Sequence, residues 1–188
     1  MKYFKKLVGD NIYLSPRSVS EGIIEKFTEW LNDFEVTDYT GRSSQVLTLE
    51  DEKKWFENPK PDSQVFFIVR NDDNKLIGSM GLHEINNIHG TATLGIFIGE
   101  KDGRNKGFGT EAVRLILDYG FNYLNLKNIK LDVMEFNERA IACYKKCGFK
   151  EYGRRRKCYF LNGKYYDKIE MDILAEEFKE EYIRNKNI

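Results

Sequence analysis

The stretch that decides the fold is Glu100–Phe121, EKDGRNKGFGTEAVRLILDYGF, in which a basic, glycine-rich loop runs directly into an apolar-periodic segment. The spacing of its apolar residues predicts a well-buried helix from about Gly107 to Tyr123. The first turn of a helix carries unpaired backbone N–H groups and a partial positive charge. Gly107 and Gly109 lack a Cβ, so an anion can approach the backbone closely. The loop therefore predicts a phosphate site at the start of this helix.

The spacing of the loop argues against two other phosphate motifs. No GK[ST] follows a glycine at the distance of a nucleotide P-loop, and the glycines do not form GxGxxG. The bare pattern Arg104-x-x-Gly107-x-Gly109 is also compatible with an ordinary glycine-rich turn. Its interpretation therefore depends on the elements around it.

The neighbouring segments change from helical to strand periodicity and back. Residues 63–70, 76–85 and 90–99 predict three strands of an antiparallel meander with short connections. After the loop and its helix, 128–135 predicts a strand and 137–149 a helix that ends at Gly148. Strand, loop, helix and strand form a crossover between parallel strands, which is nearly always right-handed.

The two ends of the chain complete the predicted domain. Residues 11–16 predict a first strand, Ser18 or Ser20 a helix cap before Asn32, and 48–58 a second helix with a capping-box pattern. Residues 150–175 predict a last hairpin. The fold class is thus α/β: a mixed, mostly antiparallel sheet of six or seven strands, flanked by helices. We expect one domain over 1–175 and a polar tail over 176–188, forming a frayed or exposed helix.

The composition argues against a nucleic-acid partner, a metal site and a membrane partner. Lys and Arg number 30, as do Asp and Glu, so the formal net charge is zero and a nucleic-acid partner is disfavoured, although 153–158 form a local basic run. Two histidines and three cysteines without CxxC or HExxH predict no metal site and free thiols. No apolar run has the length of a membrane span. We expect a cytoplasmic protein without a membrane partner.

The loop and the next predicted helix together form a more specific pattern than either does alone. Arg104-x-x-Gly107-x-Gly109, followed by Asn137-x-x-Ala140-x-x-x-Tyr144-x-x-x-Gly148-Phe149, resembles the GCN5-related N-acetyltransferase (GNAT) superfamily. The resemblance runs from about Asn11 to Leu174, nearly the whole chain. It implies that the strand ahead of the loop splays from the next parallel strand and that acetyl-CoA lies in the gap.

The resemblance also implies which residues hold the cosubstrate. Backbone groups of Ile96, Phe97 and Ile98 should line the pantetheine arm. The pyrophosphate should be held by the N–H groups of the loop: Arg104, Asn105, Lys106, Gly107, Phe108, Gly109 and Thr110. Asn137 should hydrogen-bond the cofactor arm, with Ala140 beside it, and Tyr144 should lie near the thioester sulfur.

The implied reaction is the direct attack of a neutral amine on the thioester within a ternary complex. The N–H of Ile98 or Phe97 would stabilise the developing oxyanion, and Tyr144 would protonate the departing thiolate. His83 and Glu84 are the candidates for removing the proton of the amine. Three of the residues named so far also have a plainer interpretation. Tyr144 could be a core tyrosine, Asn137 a helix cap, and His83 a surface residue.

The acceptor amine is less well defined. Residues 30–42 resemble the branch that acetylates ribosomal-protein N-termini and also modifies antibiotics and amino sugars, whereas 83–99 resemble bacterial spermidine acetyltransferases. Glu84 matches an acidic position of the latter, but Thr93 stands where they tend to carry an acid. The acceptor is therefore a polyamine, a protein N-terminus or a small amine. Candidate substrate residues are Trp30, Asp33, Glu35 and Glu84, although Trp30 also suits a core position.

Two other classes remain open at this point. A non-catalytic acyl-CoA-binding or regulatory module could use the same fold, although the intact loop and Tyr144 argue against it. A nucleic-acid-binding domain would use the basic runs and bind in a salt-dependent way. Dimers are common on this fold, so the resemblance allows a homodimer.

Overall fold

Residues 3–20 and 22–184, which the computed structural model describes, form a single eight-stranded sheet with helices on both faces. The strand order is β1-β2-β3-β4-β5-β6-β8-β7. The strands are β1 Leu7–Val8, β2 Ile12–Pro16, β3 Gln64–Arg70, β4 Leu76–Asn86, β5 Thr91–Ile98, β6 Asn128–Met134, β7 Lys150–Leu161 and β8 Lys164–Leu174. The helices are α1 Ile23–Asn32, α2 Phe34–Thr37, α3 Leu49–Glu57, α4 Phe108–Asn122 and α5 Glu138–Lys146.

The predicted fold class is confirmed, with one more strand than expected. The additional strand is β1, whose two residues pair with β2 near the N-terminus. Short 3-10 turns at Lys101–Gly103 and Ala175–Glu177 follow β5 and β8. The crossover from β5 through α4 to β6 lies in the middle of the sheet, as the sequence predicted.

The central feature of the sheet is the parallel pair β5 and β6. Their register runs only from Thr91 opposite Asn128 to Thr93 opposite Lys130. Beyond Thr93, β5 stays paired with β4 as far as Ile98, and β6 stays paired with β8 as far as Met134. The two strands therefore separate while each keeps its other neighbour, which confirms the predicted splay.

Alternating side chains of the central strands face two separate cores. On β3, Phe66 and Ile68 belong to the core that α4 and α5 cover, whereas Phe67 and Val69 belong to the core under α1 and α3. Ile116 of α4 is fully buried in the first core. Burying each such side chain stabilises the fold by roughly 1.5–3 kcal/mol. Both cores hold the central strands in place where the gap opens.

The starts of two helices differ in how well the sequence predicted them. Thr48 and Asp51 form the expected capping box at α3. At α1 the expected serine cap is wrong: Gly22 occupies the N-cap position with a φ of +80° and provides no side-chain cap. Ser20 contributes its carbonyl oxygen, which accepts the N–H of Ile23, instead of its hydroxyl. The glycine allows a left-handed entry that a serine side chain would disfavour.

The expected exposed helix in the tail is also wrong over the residues described. Beyond Ala175–Glu177 the chain forms no helix as far as Arg184, and Ile183 is buried. The carboxylate of Asp118, fully buried on α4, accepts the N–H groups of Tyr182 and Ile183. A buried carboxylate requires such donors, so the tail is held against α4 rather than forming a free helix. Residues 185–188 of the predicted tail lie outside the described part.

Candidate active site

A large cleft lies where β5 and β6 separate. Its volume is about 1420 Å³, larger than the roughly 300–1,000 Å³ of most small-molecule sites. One end, here called the loop end, is lined by the loop before α4 and by α5. The other, here called the acceptor end, is lined by residues of α1 to α3 and by the ends of β3 and β4. The cleft has room for an elongated molecule and a second one beside it.

At the loop end, the backbone is arranged to receive an anion. Gly107 is the N-cap residue of α4 with a φ of +83°, and no side chain caps this helix. A Cβ on Gly107 or Gly109 would meet no atom within 4 Å, so both residues face open space. The first bond of the helix is from the N–H of Glu111 to the oxygen of Gly107. Within the described residues, the N–H groups of 105–110 donate to no backbone carbonyl.

Arg104 has both its N–H and its guanidinium hydrogen-bonded to carbonyl oxygens. Its N–H donates to the oxygen of Lys101, so this group is not free for a phosphate. Its guanidinium donates to the carbonyl oxygens of Ile98 at 3.3 Å and Gly99 at 2.9 Å. That the Arg104 N–H binds pyrophosphate stays a prediction, since its bond to Lys101 would first have to open. The guanidinium fixes the end of β5 next to the loop. Lys106 is exposed on the loop and is not part of the cleft lining.

Backbone groups of β5 form one wall of the cleft. Ile96, Phe97 and Ile98 line it, and past Thr93 their edge has no partner on β6. The ring of Phe97 packs against Phe27, with the ring centroids 5.7 Å apart. The Phe97 side chain is thus anchored in the core, which holds its peptide groups at the open edge.

On α5, Asn137 and Tyr144 face the same cleft. The Oδ1 of Asn137 accepts the N–H of Ala140 at 3.2 Å, so the residue caps its helix while it lines the cleft. Tyr144 is 8% exposed. Burial, with a smaller contribution from Cys143, raises the pKa of Tyr144 far above its ordinary value of 10. Its hydroxyl therefore keeps its proton at neutral pH, as a general acid must.

His83 lies over the part of β5 that separates from β6. A Cβ on Gly95 would be 3.4 Å from the Nε2 of His83, so the absence of a side chain at Gly95 leaves room for the imidazole ring. The Nδ1 of His83 is 3.3 Å from the Oγ of Ser63. Burial, reinforced by the positive charges of Arg42 and Lys60, lowers the pKa of His83 below 6.5. The ring is therefore neutral at pH 7 and able to accept a proton.

Glu84 is held at the mouth of the gap by an irregularity in the sheet. The pairing of β4 with β5 shifts between His83 and Asn86, and Glu84 has a φ of +52°. A left-handed residue other than glycine costs about 1–2 kcal/mol. The carboxylate of Glu84 accepts the hydroxyl of Thr93 at 2.8 Å. Thr93, which replaces the acid expected from the resemblance, thus orients Glu84 beside the cleft.

Of the other predicted substrate residues, one lines the cleft and two do not. Trp30 is buried, does not line the cleft, and lies so close to Gly99 that a Cβ there would be 2.1 Å from its ring. The prediction that Trp30 contacts substrate is wrong, because the residue forms part of the core. Asp33 caps α2 by accepting the N–H of Glu35 and is also outside the cleft lining. Glu35 does line the cleft, but its carboxylate pairs with Lys101 and Arg104.

Sequence analysis missed Glu52 as a site residue. It is 4% exposed, it lines the acceptor end, and its Oε2 has no hydrogen-bond partner. Burial raises the pKa of Glu52, whereas the charge of Arg42 lowers it. The one available signal was the spacing of Glu52 and Phe56, which places both on the same face of α3.

Cys143 was also missed, at the loop end. Its Sγ is 3.2 Å from the Oγ1 of Thr110, and it lines the cleft. The interaction between the two thiols lowers the pKa of Cys143 and raises that of Cys147, whose thiol donates to the carbonyl oxygen of Thr110 at 3.6 Å. The sequence spacing showed that these cysteines were neighbours on a helix but not that they adjoin the phosphate loop.

Two kinds of feature are absent from the described residues. Over 3–20 and 22–184, no group of three or more His, Cys, Asp or Glu residues is placed to hold a metal ion. In the same part of the chain, no helix is both long and apolar enough to cross a membrane.

Comparison with known proteins identifies the class. The Acetyltransferase (GNAT) domain profile matches residues 16–150, so the chain belongs to the GNAT acetyltransferase family. This confirms the predicted family and the predicted acetyl-CoA-dependent N-acetyltransferase.

The relatives found within that family are more specific. The chain is 30% identical to the spermidine N(1)-acetyltransferase of Vibrio cholerae, over 89% of this chain and 96% of that protein. It is 34% identical to the spermidine N(1)-acetyltransferase of Escherichia coli K12, over 68% and 76%. A crystal structure of the Vibrio cholerae spermidine N-acetyltransferase in complex with CoA and spermine superposes with a TM-score of 0.78 at 28% identity, covering 87% and 96%.

Proposed function

We propose that this chain transfers an acetyl group from acetyl-CoA to a primary amine of an aliphatic polyamine, in a ternary complex. The observation that carries this proposal is the cleft, which joins an open phosphate loop and Tyr144 to an acceptor end with several carboxylates. These belong to Glu52, Glu57, Asp62 and Glu84. The two relatives named spermidine acetyltransferases support the choice of a polyamine.

The residues at the loop end suit acetyl-CoA. The free N–H groups of 105–110 would hold its diphosphate, since they point from the first turn of α4 toward open space. The unpaired edge of β5 and the side chain of Asn137 would hold the pantetheine arm. When bound, acetyl-CoA supplies an acetyl group activated as a thioester.

The remaining residues act on protons and charge. His83, neutral at pH 7, accepts a proton from the acceptor ammonium directly or through water, and Glu84 attracts the cation at the mouth. An N–H of Ile98 or Phe97, in the part of β5 that has no partner on β6, would stabilise negative charge on the carbonyl oxygen. Tyr144 donates its proton to the departing sulfur. The second proton, which the amine nitrogen loses as the amide forms, would then restore the Tyr144 hydroxyl, directly or through water.

A thiol-release assay tests this proposal. The purified protein and acetyl-CoA are mixed separately with spermidine, spermine, an aminoglycoside, amino sugars and short peptides with free N-termini. We expect release of CoA thiol with spermidine or spermine. Release with peptides alone would reject the polyamine acceptor in favour of a protein N-terminus. If no amine causes release of CoA thiol while calorimetry still shows acetyl-CoA binding, acetylation of these amines is rejected and the cosubstrate site is retained.

A further inference from the structure

Among the carboxylates that line the acceptor end, Glu52 is the buried one. Glu57, Asp62 and Glu84 also line this end, but all three are exposed. Glu52 is buried because α3 turns the same face to the interior at Glu52 and, one turn later, at Phe56, each 4% exposed. The capping box of this helix uses Asp51, so Glu52 has no role in the cap.

Within the described part of the chain, the Glu52 carboxylate forms no ion pair within 4.0 Å. Its Oε2 is shielded from solvent and has no hydrogen-bond partner. The positive charge that lowers the pKa of Glu52 is that of Arg42. Arg42 is exposed and does not form an ion pair with Glu52 within 4.0 Å. Buried carboxylates are normally paired or hydrogen-bonded, because desolvation without a partner is costly. A partner from outside the chain would resolve this.

We propose that Glu52 binds a second cationic nitrogen of the acceptor, so that the enzyme prefers diamines and polyamines to monoamines. This inference rests on the proposed acetyltransferase function and adds to it a subsite inside the acceptor end. An ammonium group donates up to three hydrogen bonds and carries the opposite charge, which is what an unpartnered carboxylate requires. Tyr144 and Glu52 line the same cleft, so in this proposal one amine of the acceptor lies toward Tyr144 and another toward Glu52.

The subsite differs from the place of Glu84. The carboxylate of Glu84 already accepts the Thr93 hydroxyl at the exposed mouth of the gap, where water screens its charge. The carboxylate of Glu52 is desolvated, so the charge-assisted bond that it forms with an ammonium is stronger than one at the surface. Glu84 would therefore attract cations in general, whereas Glu52 would select those with a second charge.

The test compares two acceptors of equal length: 1,4-diaminobutane and n-butylamine, which lacks the second nitrogen. We expect Glu52→Gln to lower the ratio of their kcat/KM values by about tenfold or more, mainly through a higher KM for the diamine. Glu50→Gln is the matched control: Glu50 is on the same helix, but it is exposed and outside the cleft lining, and the ratio should stay as in wild type.

A second variant guards against misfolding. Glu52→Met has a similar volume and no polar atoms; it should show the same loss of diamine preference and melt at a temperature at least as high as wild type, because it removes an unpartnered buried carboxylate. Acetyl-CoA titration of each variant should be unchanged. An unchanged ratio in a folded Glu52→Gln or Glu52→Met protein would overturn the inference.

Calorimetric titration with spermidine separates this inference from the proposed function. If the wild type acetylates none of the amines but binds spermidine, and Glu52→Gln weakens binding about tenfold or more, the subsite stands and the proposed reaction fails. If the wild type acetylates diamines and the variants do so with unchanged preference, the reaction stands and the subsite fails. A wild type that neither binds nor acetylates spermidine would overturn both.

Discussion

The two ends of the cleft are built from different parts of the chain. The loop end consists largely of backbone: the N–H groups of 105–110 and the unpaired edge of β5. The acceptor end consists of side chains brought by α3, β4 and the segments around them. Backbone geometry depends on a few glycines and on the strand splay, whereas a side-chain site depends on each residue. The loop end was accordingly predictable from a short motif and the acceptor end was not.

The strongest way to break the loop end is to fill its open space. Gly109→Trp places a large ring where a Cβ now meets no atom within 4 Å, so the protein should fold but lose measurable acetyl-CoA binding by calorimetry. Lys53→Trp is the control, because Lys53 is an exposed residue of α3 outside the cleft lining and should leave acetyl-CoA binding unchanged. Normal binding by a folded Gly109→Trp protein would show that the loop does not hold the cosubstrate.

The reaction itself is expected to depend on Tyr144, where the two ends meet. Tyr144→Phe should lower kcat by about 10²–10⁴-fold, because general acids contribute to that extent, while acetyl-CoA affinity changes little. Steady-state kinetics and calorimetry measure the two quantities. Tyr152→Phe is the control, since Tyr152 is exposed and outside the cleft lining. A Tyr144→Phe enzyme with the kcat of wild type between pH 6 and 9 would exclude the acid role.

A smaller effect is expected for the base at the acceptor end. Burial lowers the pKa of His83, so its neutral form prevails at pH 7 and is lost only as the pH falls through a value below 6.5. Activity should therefore decline on the acidic side, and His83→Gln should remove that limb while lowering kcat at pH 7.5 by about a hundredfold or less. His89→Gln, at an exposed histidine outside the cleft lining, should keep the wild-type profile. An acidic limb that persists unchanged in His83→Gln would assign it to another group.

The smallest effect concerns a thiol beside the loop end. The pKa of Cys143 is lowered, so iodoacetamide near neutral pH should alkylate Cys143 faster than the buried Cys147, as followed by mass spectrometry. Acetyl-CoA should slow the labelling of Cys143, since this residue lines the cleft next to Thr110. Cys158 is the internal control, because it lies outside the cleft lining and should not be protected. Equal labelling of Cys143 with and without acetyl-CoA would place the cosubstrate elsewhere.

Particular residues show how far sequence reasoning reaches. Gly107, Gly109, Asn137 and Tyr144 lie together in the cleft, as expected, because their spacing fixes them relative to the ends of α4 and α5. Arg104 was assigned to phosphate, yet its donors are taken by carbonyl groups that only the folded loop brings near. Trp30 was assigned to substrate, but its place against Gly99 depends on the packing of α1 on β5.

The splay of β5 from β6 was implied by the resemblance to the GNAT superfamily. By itself the sequence determined the order of most strands and helices, the crossover from β5 to β6 and the glycine-rich start of α4. These follow from local periodicity and from glycines that permit a conformation or a close approach, which are properties of neighbouring residues. Only the tertiary structure decided which carboxylates face the cleft and which of them is without a partner. Glu52 and Glu57 are five positions apart on one helix, and their difference in burial arises from what the rest of the chain packs against each face.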